Sequence, residues 1–174
     1  YPNYEALVYK KRSYTWKEVY DRSIKFASAL EKNGIKPGDT VSIMAANTPE
    51  LFEAHYSVPM TGAVLNAINT RLDAKTVGYI FKHADTKALI VDRQFHGVVK
   101  KALETFGKKV LIIDIVDEQA DLKDSEKIGE FEYESFLKKG DSSYIWKRPK
   151  DEWQAISLNY TSGTTGHPKG VVYH

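Results

Sequence analysis

Short apolar runs recur at a near-constant interval, and that interval restricts the fold more than any other property of the chain. The runs begin near residues 41, 64, 88 and 110, a repeat of about 23 residues. Each is too short to be a buried helix, and each is followed by a stretch of helical periodicity, so each reads as a strand buried on both sides. The expected strands are 41–46, 64–68, 88–91 and 110–113. Helices are expected at 15–33, from residue 48 to about 58, from 73 to 81, and at 95–106. Strands alternating with helices demand a parallel sheet with right-handed crossovers. The expected fold class is therefore α/β: a parallel-rich sheet covered by helices on both faces. No sequence repeat accompanies the spacing.

Local signals mark where the helices start and stop. Thr15 with Glu18 makes a capping box, and Gly34 ends the first helix. Its expected inward stripe is Trp16, Val19, Tyr20, Ser23, Ala27 and Leu30. Thr48 caps the second helix with Pro49 at its first position, and Pro59 ends or kinks it. Asp73 caps the third. Beyond the fourth strand the pattern weakens. Residues 117–134 hold eight acidic side chains against two lysines, and a segment of about 115–134 reads as an exposed, solvated connector rather than a docking face. Residues 138–150 turn basic and read as a surface linker into a strand at 155–160, with another strand at 171–173.

Between those last two strands lies the run with the clearest chemistry. Positions 161–170 contain four hydroxyl residues, three glycines and one lysine. Glycines let a backbone approach an anion and turn its N–H groups toward it; hydroxyls add short donors and Lys169 a mobile charge. The ordinary P-loop needs Gly, four residues, then Gly-Lys-Ser/Thr. Counted from Gly163, the chain has Pro168 where the second glycine belongs and Gly170 where the hydroxyl belongs. Pro168 also lacks the N–H that such a cradle uses. A strand rather than a helix follows the loop. The Walker arrangement is excluded.

The run Thr161-Ser162-Gly163-Thr164-Thr165-Gly166-His167-Pro168-Lys169-Gly170 resembles the signature of the AMP-forming adenylating enzymes, which include acyl-CoA synthetases, aryl-CoA ligases, luciferases and peptide-synthetase adenylation domains. That signature reads [Ser/Thr]-Ser-Gly-[Ser/Thr]-Thr-Gly-x-Pro-Lys-Gly, and no defined position departs from it. The resemblance extends over nearly the whole chain. It includes Tyr14-Thr15-Trp16, Gly34-Ile35-Lys36-Pro37-Gly38-Asp39-Thr40-Val41, Asn47-Thr48-Pro49-Glu50, Val58-Pro59-Met60-Thr61-Gly62-Ala63-Val64-Leu65-Asn66, Asn69-Thr70-Arg71-Leu72 and Ile156-Ser157-Leu158-Asn159-Tyr160. The chain looks most similar to the branch acting on fatty and methylmercaptopropionic acids.

What the resemblance implies is specific. Residues 1–174 would form the first part of the family's large N-terminal AMP-binding domain, with the rest of that domain and a small C-terminal domain outside this chain. The enzyme would join a carboxylic acid, fatty or of short to medium chain, to CoA through an acyl-AMP. ATP, Mg²⁺ and CoA would take part. Thr161, Ser162, Gly163, Thr164, Thr165, Gly166, Lys169 and Gly170 would bind the phosphates, and Lys169 would balance their charge during adenylation. No residue of this chain is expected to ligate the metal. The chain starts without Met and stops at His174, and so is expected to be a piece that is inactive alone and leaves apolar surface and a sheet edge open. Alternatives are an enzyme that loads a carrier-protein thiol and a homologue that binds nucleotide without ligase activity.

Composition narrows the partners. A net charge of +2 gives no argument for nucleic acid or a membrane surface, and no apolar run reaches the ~18 residues of a membrane span. The absence of cysteine rules out disulfides, thiolate metal sites and a cysteine nucleophile. A cytoplasmic location is expected, and a homodimer is compatible with the family. His55, His83 and His96 lack a second ligand at helical spacing and read as core or surface histidines. His167 occupies the signature's variable position and is expected to be exposed. In the family a histidine shortly after the loop shapes the acyl pocket, and His174 reads as its neighbour. Arg71 is expected to order its own turn in preference to touching phosphate or CoA. Asn47 and Asn66 read as caps, and Tyr9, Tyr14, Trp16, Tyr20 and Phe26 as core or staple contacts.

Overall fold

The computed structural model describes residues 1–118, 120, 125–161 and 166–174. The chain opens with a hairpin of β1 (Glu5–Tyr9) and β2 (Arg12–Thr15), followed by α1 (Trp16–Lys32). The expected alternation then appears as β3 (Thr40–Met44), α2 (Pro49–Met60), β4 (Val64–Ala67), α3 (Ala74–His83), β5 (Thr86–Asp92), α4 (His96–Phe106) and β6 (Leu111–Ile115). It closes with β7 (Phe131–Glu132), α5 (Tyr133–Leu137), β8 (Ser157–Thr161) and β9 (Lys169–Tyr173). The main sheet has the order β7-β6-β5-β3-β4-β8-β9. Its pairings are parallel throughout except for β8 with β9.

Period-two alternation decides how this sheet is covered. On β5, Ala88 and Ile90 join a core with Phe26 and Leu30 of α1, Val58 of α2 and Phe136 of α5. Leu89 and Val91 point the other way, into a second core with Val77 and Phe81 of α3 and Val99 and Phe106 of α4. Fully burying each such aliphatic side chain is worth about 1.5–3 kcal/mol, so a strand apolar on both faces is stable only between two helical layers. Among the described residues no helix is long and apolar enough to cross a membrane.

The helix signals act largely as expected. Thr15 Oγ1 accepts the Glu18 N–H at 3.2 Å while Glu18 Oε2 accepts the Thr15 N–H at 2.7 Å. Asp73 Oδ1 accepts the Thr76 N–H at 3.0 Å. Thr48 precedes α2 but makes no side-chain cap, and Pro59 lies inside that helix rather than ending it. The final turn tightens instead: Thr61 N–H donates to the Val58 carbonyl and Gly62 N–H to that of Pro59.

One element was not expected from the sequence, and three expectations need correction. The β1–β2 hairpin turns through Lys10 and Lys11, with Lys10 at φ 52°. Two lysines carry none of the Asn-Gly or Asp-Gly chemistry that announces such a turn. The acidic segment is not a connector along its whole length, because β7 pairs with β6 and Tyr133 is buried. Its acidic residues hide an aromatic series: Tyr133 stacks on Phe26 at 4.4 Å, and Phe136 meets the same ring edge-on. The stripe of α1 is also narrower at its start than periodicity suggests. Trp16 and Tyr20 are 44% and 50% exposed, and Trp16 leans on Phe52 of α2. Asn66 is no cap, since it lies within β4 and donates from Nδ2 to Ser42 Oγ at 2.9 Å. Ser42 in turn bonds Thr86 across to β5, so the two strands flanking β3 are joined by buried polar side chains.

Candidate phosphate-binding hairpin

β8 and β9 form an antiparallel hairpin at the end of the sheet, with Tyr160 opposite Gly170 and Thr161 opposite Lys169. A strand stands on each side of the run as expected, and Thr161, Lys169 and Gly170 belong to those strands. Directly opposed residues on one face have Cβ atoms about 4.5–5.5 Å apart. Thr161 and Lys169 thus stand side by side at the mouth, both exposed. A hydroxyl donor and an ammonium are presented together, the combination a polyphosphate oxygen accepts. Ser162, Gly163, Thr164 and Thr165 lie outside the described residues.

The two described glycines serve different geometric needs. Gly166 has φ +90°, where side-chain-bearing residues are rarely found. Open space surrounds its Cα, so the requirement is conformational and not steric. Gly166→Ala is expected to strain the returning arm without lowering the unfolding midpoint of the sheet, as urea melts would show. Gly170 sits in closer quarters. A Cβ there would sit 3.0 Å from Leu158 Cδ1 and 3.5 Å from Tyr160 Cζ. The close approach is to the Leu158 side chain, while the Tyr160 ring lies at ordinary van der Waals distance from that position.

Tyr160 links the hairpin to α3. Burial, followed by the neighbouring Tyr79, pushes its phenol up to about 12, so the hydroxyl stays protonated near neutral pH. That hydroxyl and His83 Nδ1 are hydrogen-bonded at 2.7 Å, with the rings edge-on at 5.7 Å. Tyr79, one turn earlier on α3, stacks on His83 at 5.5 Å. Its ring also stacks on His167 at 4.9 Å and an interplanar angle of 22°. His167 is exposed as expected, yet it has a partner. The i, i+4 spacing of Tyr79 and His83 was the signal in the sequence that both face one way.

Other candidates lie elsewhere. His174 follows β9 at the end away from the loop, where its ring tilts onto Trp153 at 4.4 Å. Arg71 is exposed, and its turn is ordered by Asn69 Oδ1, which accepts the Arg71 N–H at 2.9 Å. His96 is buried with Nε2 3.5 Å from Asp114 Oδ1. Asp114 is itself engaged by the backbone N–H groups of Ile128 and Gly129. Among the described residues no group of three or more His, Asp or Glu side chains could hold a metal ion.

Comparison with known proteins shows the family. Residues 1–174 match the family model described as AMP-binding enzyme. The chain is 44% identical to an acetate–CoA ligase of Humulus lupulus, over 99% of its own length and 32% of the relative's. It is 42% identical to a peroxisomal acetate/butyrate–CoA ligase of Arabidopsis thaliana, over 100% of its own length and 32% of the relative's. A peroxisomal benzoate–CoA ligase of Arabidopsis thaliana is 41% identical over 99% of this chain and 31% of that protein. This chain spans about a third of the length of these relatives. The fold matches that of an anthranilate CoA ligase in complex with anthranoyl-AMP, with a TM-score of 0.89 and 23% identity over 99% of this chain and 32% of that one. With the family model matching from the first residue to the last, and the signature at 161–170 carried on a hairpin at the end of an α/β sheet, the chain belongs to the AMP-binding enzyme family.

Proposed function

We propose that the whole protein activates a short carboxylic acid as its acyl-AMP and transfers the acyl group to CoA, and that residues 1–174 are the part of its AMP-binding domain that grips the polyphosphate of ATP. The observation that carries this reading is the Thr161–Lys169 pair at the mouth of the glycine loop. In the first half-reaction a carboxylate oxygen of the acid attacks the α-phosphorus of ATP. The bond to the bridging oxygen breaks, and pyrophosphate leaves. In the second, the CoA thiol attacks the acyl carbon, losing its proton as AMP departs. The protein does little covalent work in the first step, so positioning and charge neutralisation dominate.

Lys169 supplies positive charge to the β- and γ-phosphates, and Thr161 supplies a hydroxyl donor beside it. The backbone around Gly166 and the hydroxyls of Ser162, Thr164 and Thr165 complete the proposed grip. Short acids are favoured over long ones because the named relatives are acetate, butyrate and benzoate ligases. Two of the ligases compared above are named peroxisomal, so the cytoplasmic location expected from the sequence has no support among them.

The test is pyrophosphate release by the whole protein, with acetate, butyrate, benzoate and a long-chain acid offered in turn. Acid-dependent release, followed by CoA-dependent release of AMP, is the expected result. ATP binding without acid-dependent pyrophosphate would replace the ligase reading with that of a nucleotide-binding homologue. AMP release that needs a carrier-protein thiol and ignores CoA would change the acceptor.

A further inference from the structure

We propose that Tyr79 and His83, on one face of α3, are positioning residues that clamp both arms of the phosphate-binding hairpin. This rests on the phosphate role proposed above. A loop rich in glycine has more backbone freedom to lose than any other when it closes on a ligand. Its arms therefore need fixing from outside. Sheet pairing supplies little on one side, because β9 is an edge strand exposed along its whole length and, among the described strands, paired with β8 alone.

α3 supplies what the edge lacks. It is capped by Asp73 and seated in the core through Val77, Ile80 and Phe81, so it is a rigid support. Tyr79 and His83 use the same helix to reach the hairpin. His83 takes the outgoing arm through Tyr160, the residue immediately before Thr161. Tyr79 takes the returning arm through His167, two residues before Lys169. The Tyr160 ring also lies across Gly170, so its placement is shared by both strands at the register that sets Thr161 opposite Lys169. Aromatic stacking on one side and a hydrogen bond on the other thus hold the two phosphate-facing side chains at one spacing. Neither Tyr79 nor His83 need touch the nucleotide.

The experiment is a comparison of His83→Ala, Tyr160→Phe, their double variant, His83→Asn, Tyr79→Leu and Tyr79→Phe in the whole protein. For each, the KM for ATP, the rate of acid-dependent pyrophosphate release, and the rate of CoA attack on supplied acyl-AMP are measured. ATP binding by calorimetry and a urea midpoint accompany them. His83→Ala and Tyr160→Phe are each expected to weaken ATP use about tenfold, the net worth of one hydrogen bond. The double variant should be no worse than His83→Ala alone, because Tyr160→Phe removes a bond that variant has already lost. His83→Asn presents an amide near the position of Nδ1 and should recover most of the loss. Tyr79→Leu is expected to cost about fivefold and Tyr79→Phe, which keeps the stack, much less.

CoA attack on supplied acyl-AMP should stay near its original rate in every variant. Equal losses in both half-reactions together with a lowered urea midpoint would reduce the contacts to ordinary packing and overturn the clamp. Additive losses in the double variant would do the same. If the unaltered protein releases no pyrophosphate but binds ATP, the ligase reading fails and the calorimetric series still decides the clamp. If it binds no ATP, both fail.

Discussion

Lys169→Ala in the whole protein is expected to slow acid-dependent pyrophosphate release about a hundredfold while CoA attack on supplied acyl-AMP stays near its original rate. The split follows from where the charge is needed. Lys169 opens β9 directly across from Thr161, at the mouth of a loop suited to polyphosphate. A preorganised donor aimed at charge that develops in a transition state is worth about 10²–10³ in rate. Negative charge builds on the leaving pyrophosphate only in the first half-reaction. Once pyrophosphate has gone, an ammonium placed for it has nothing left to stabilise. Lys169→Arg keeps the charge on a different stem and should recover part of the rate. Single-turnover measurement of the two half-reactions separates them, and equal slowing of both would refute the assignment.

Glu53→Ala is expected to destabilise the fold by about 3–5 kcal/mol, the cost of removing one partner from a buried ion pair. Glu53 on α2 is fully buried, where it receives Nε and Nη2 of Arg22 from α1 and the hydroxyl of Tyr133 from α5, the last at 2.9 Å. Burial pushes its carboxyl above the usual range even though Arg22 and Tyr133 donate to it. Burial also works against the charge on Arg22, but its bonds to Glu134 and Glu53 outweigh that and keep the guanidinium protonated. Truncation would leave the phenol of Tyr133 buried without its acceptor and Arg22 with Glu134 alone. Glu134→Ala should cost far less, since that side chain is 42% exposed and water can replace it. Urea unfolding with matched slopes would establish the difference. Comparable losses from the two variants would show that burial is not the deciding factor.

These two expectations sit at different depths in the sequence. Lys169 was legible because the signature is contiguous, and chemistry packed into ten positions can be counted. The network around Glu53 was not. Its members, Arg22, Glu53, Tyr133 and Glu134, come from three helices, and two of them sit in a segment whose acidic composition argued for an exposed connector. The first hairpin escaped for a local reason, since a Lys-Lys turn carries no turn chemistry. Asn66 was misread because its neighbours in sequence say nothing of Ser42 on the adjacent strand.

By itself, the sequence determined the alternation of strands and helices, the burial of the sheet on both faces, the caps of α1 and α3, and the family to which the glycine loop belongs. All of these follow from local periodicity or from contiguous residues. Only the tertiary structure decided that β3 lies between β4 and β5, that Thr161 stands opposite Lys169, and that His83 meets Tyr160 from 77 positions away. Strand order and side-chain meetings across the sheet depend on which surfaces close the core with the fewest unsatisfied polar groups, a property of the whole packed molecule rather than of any window of the chain.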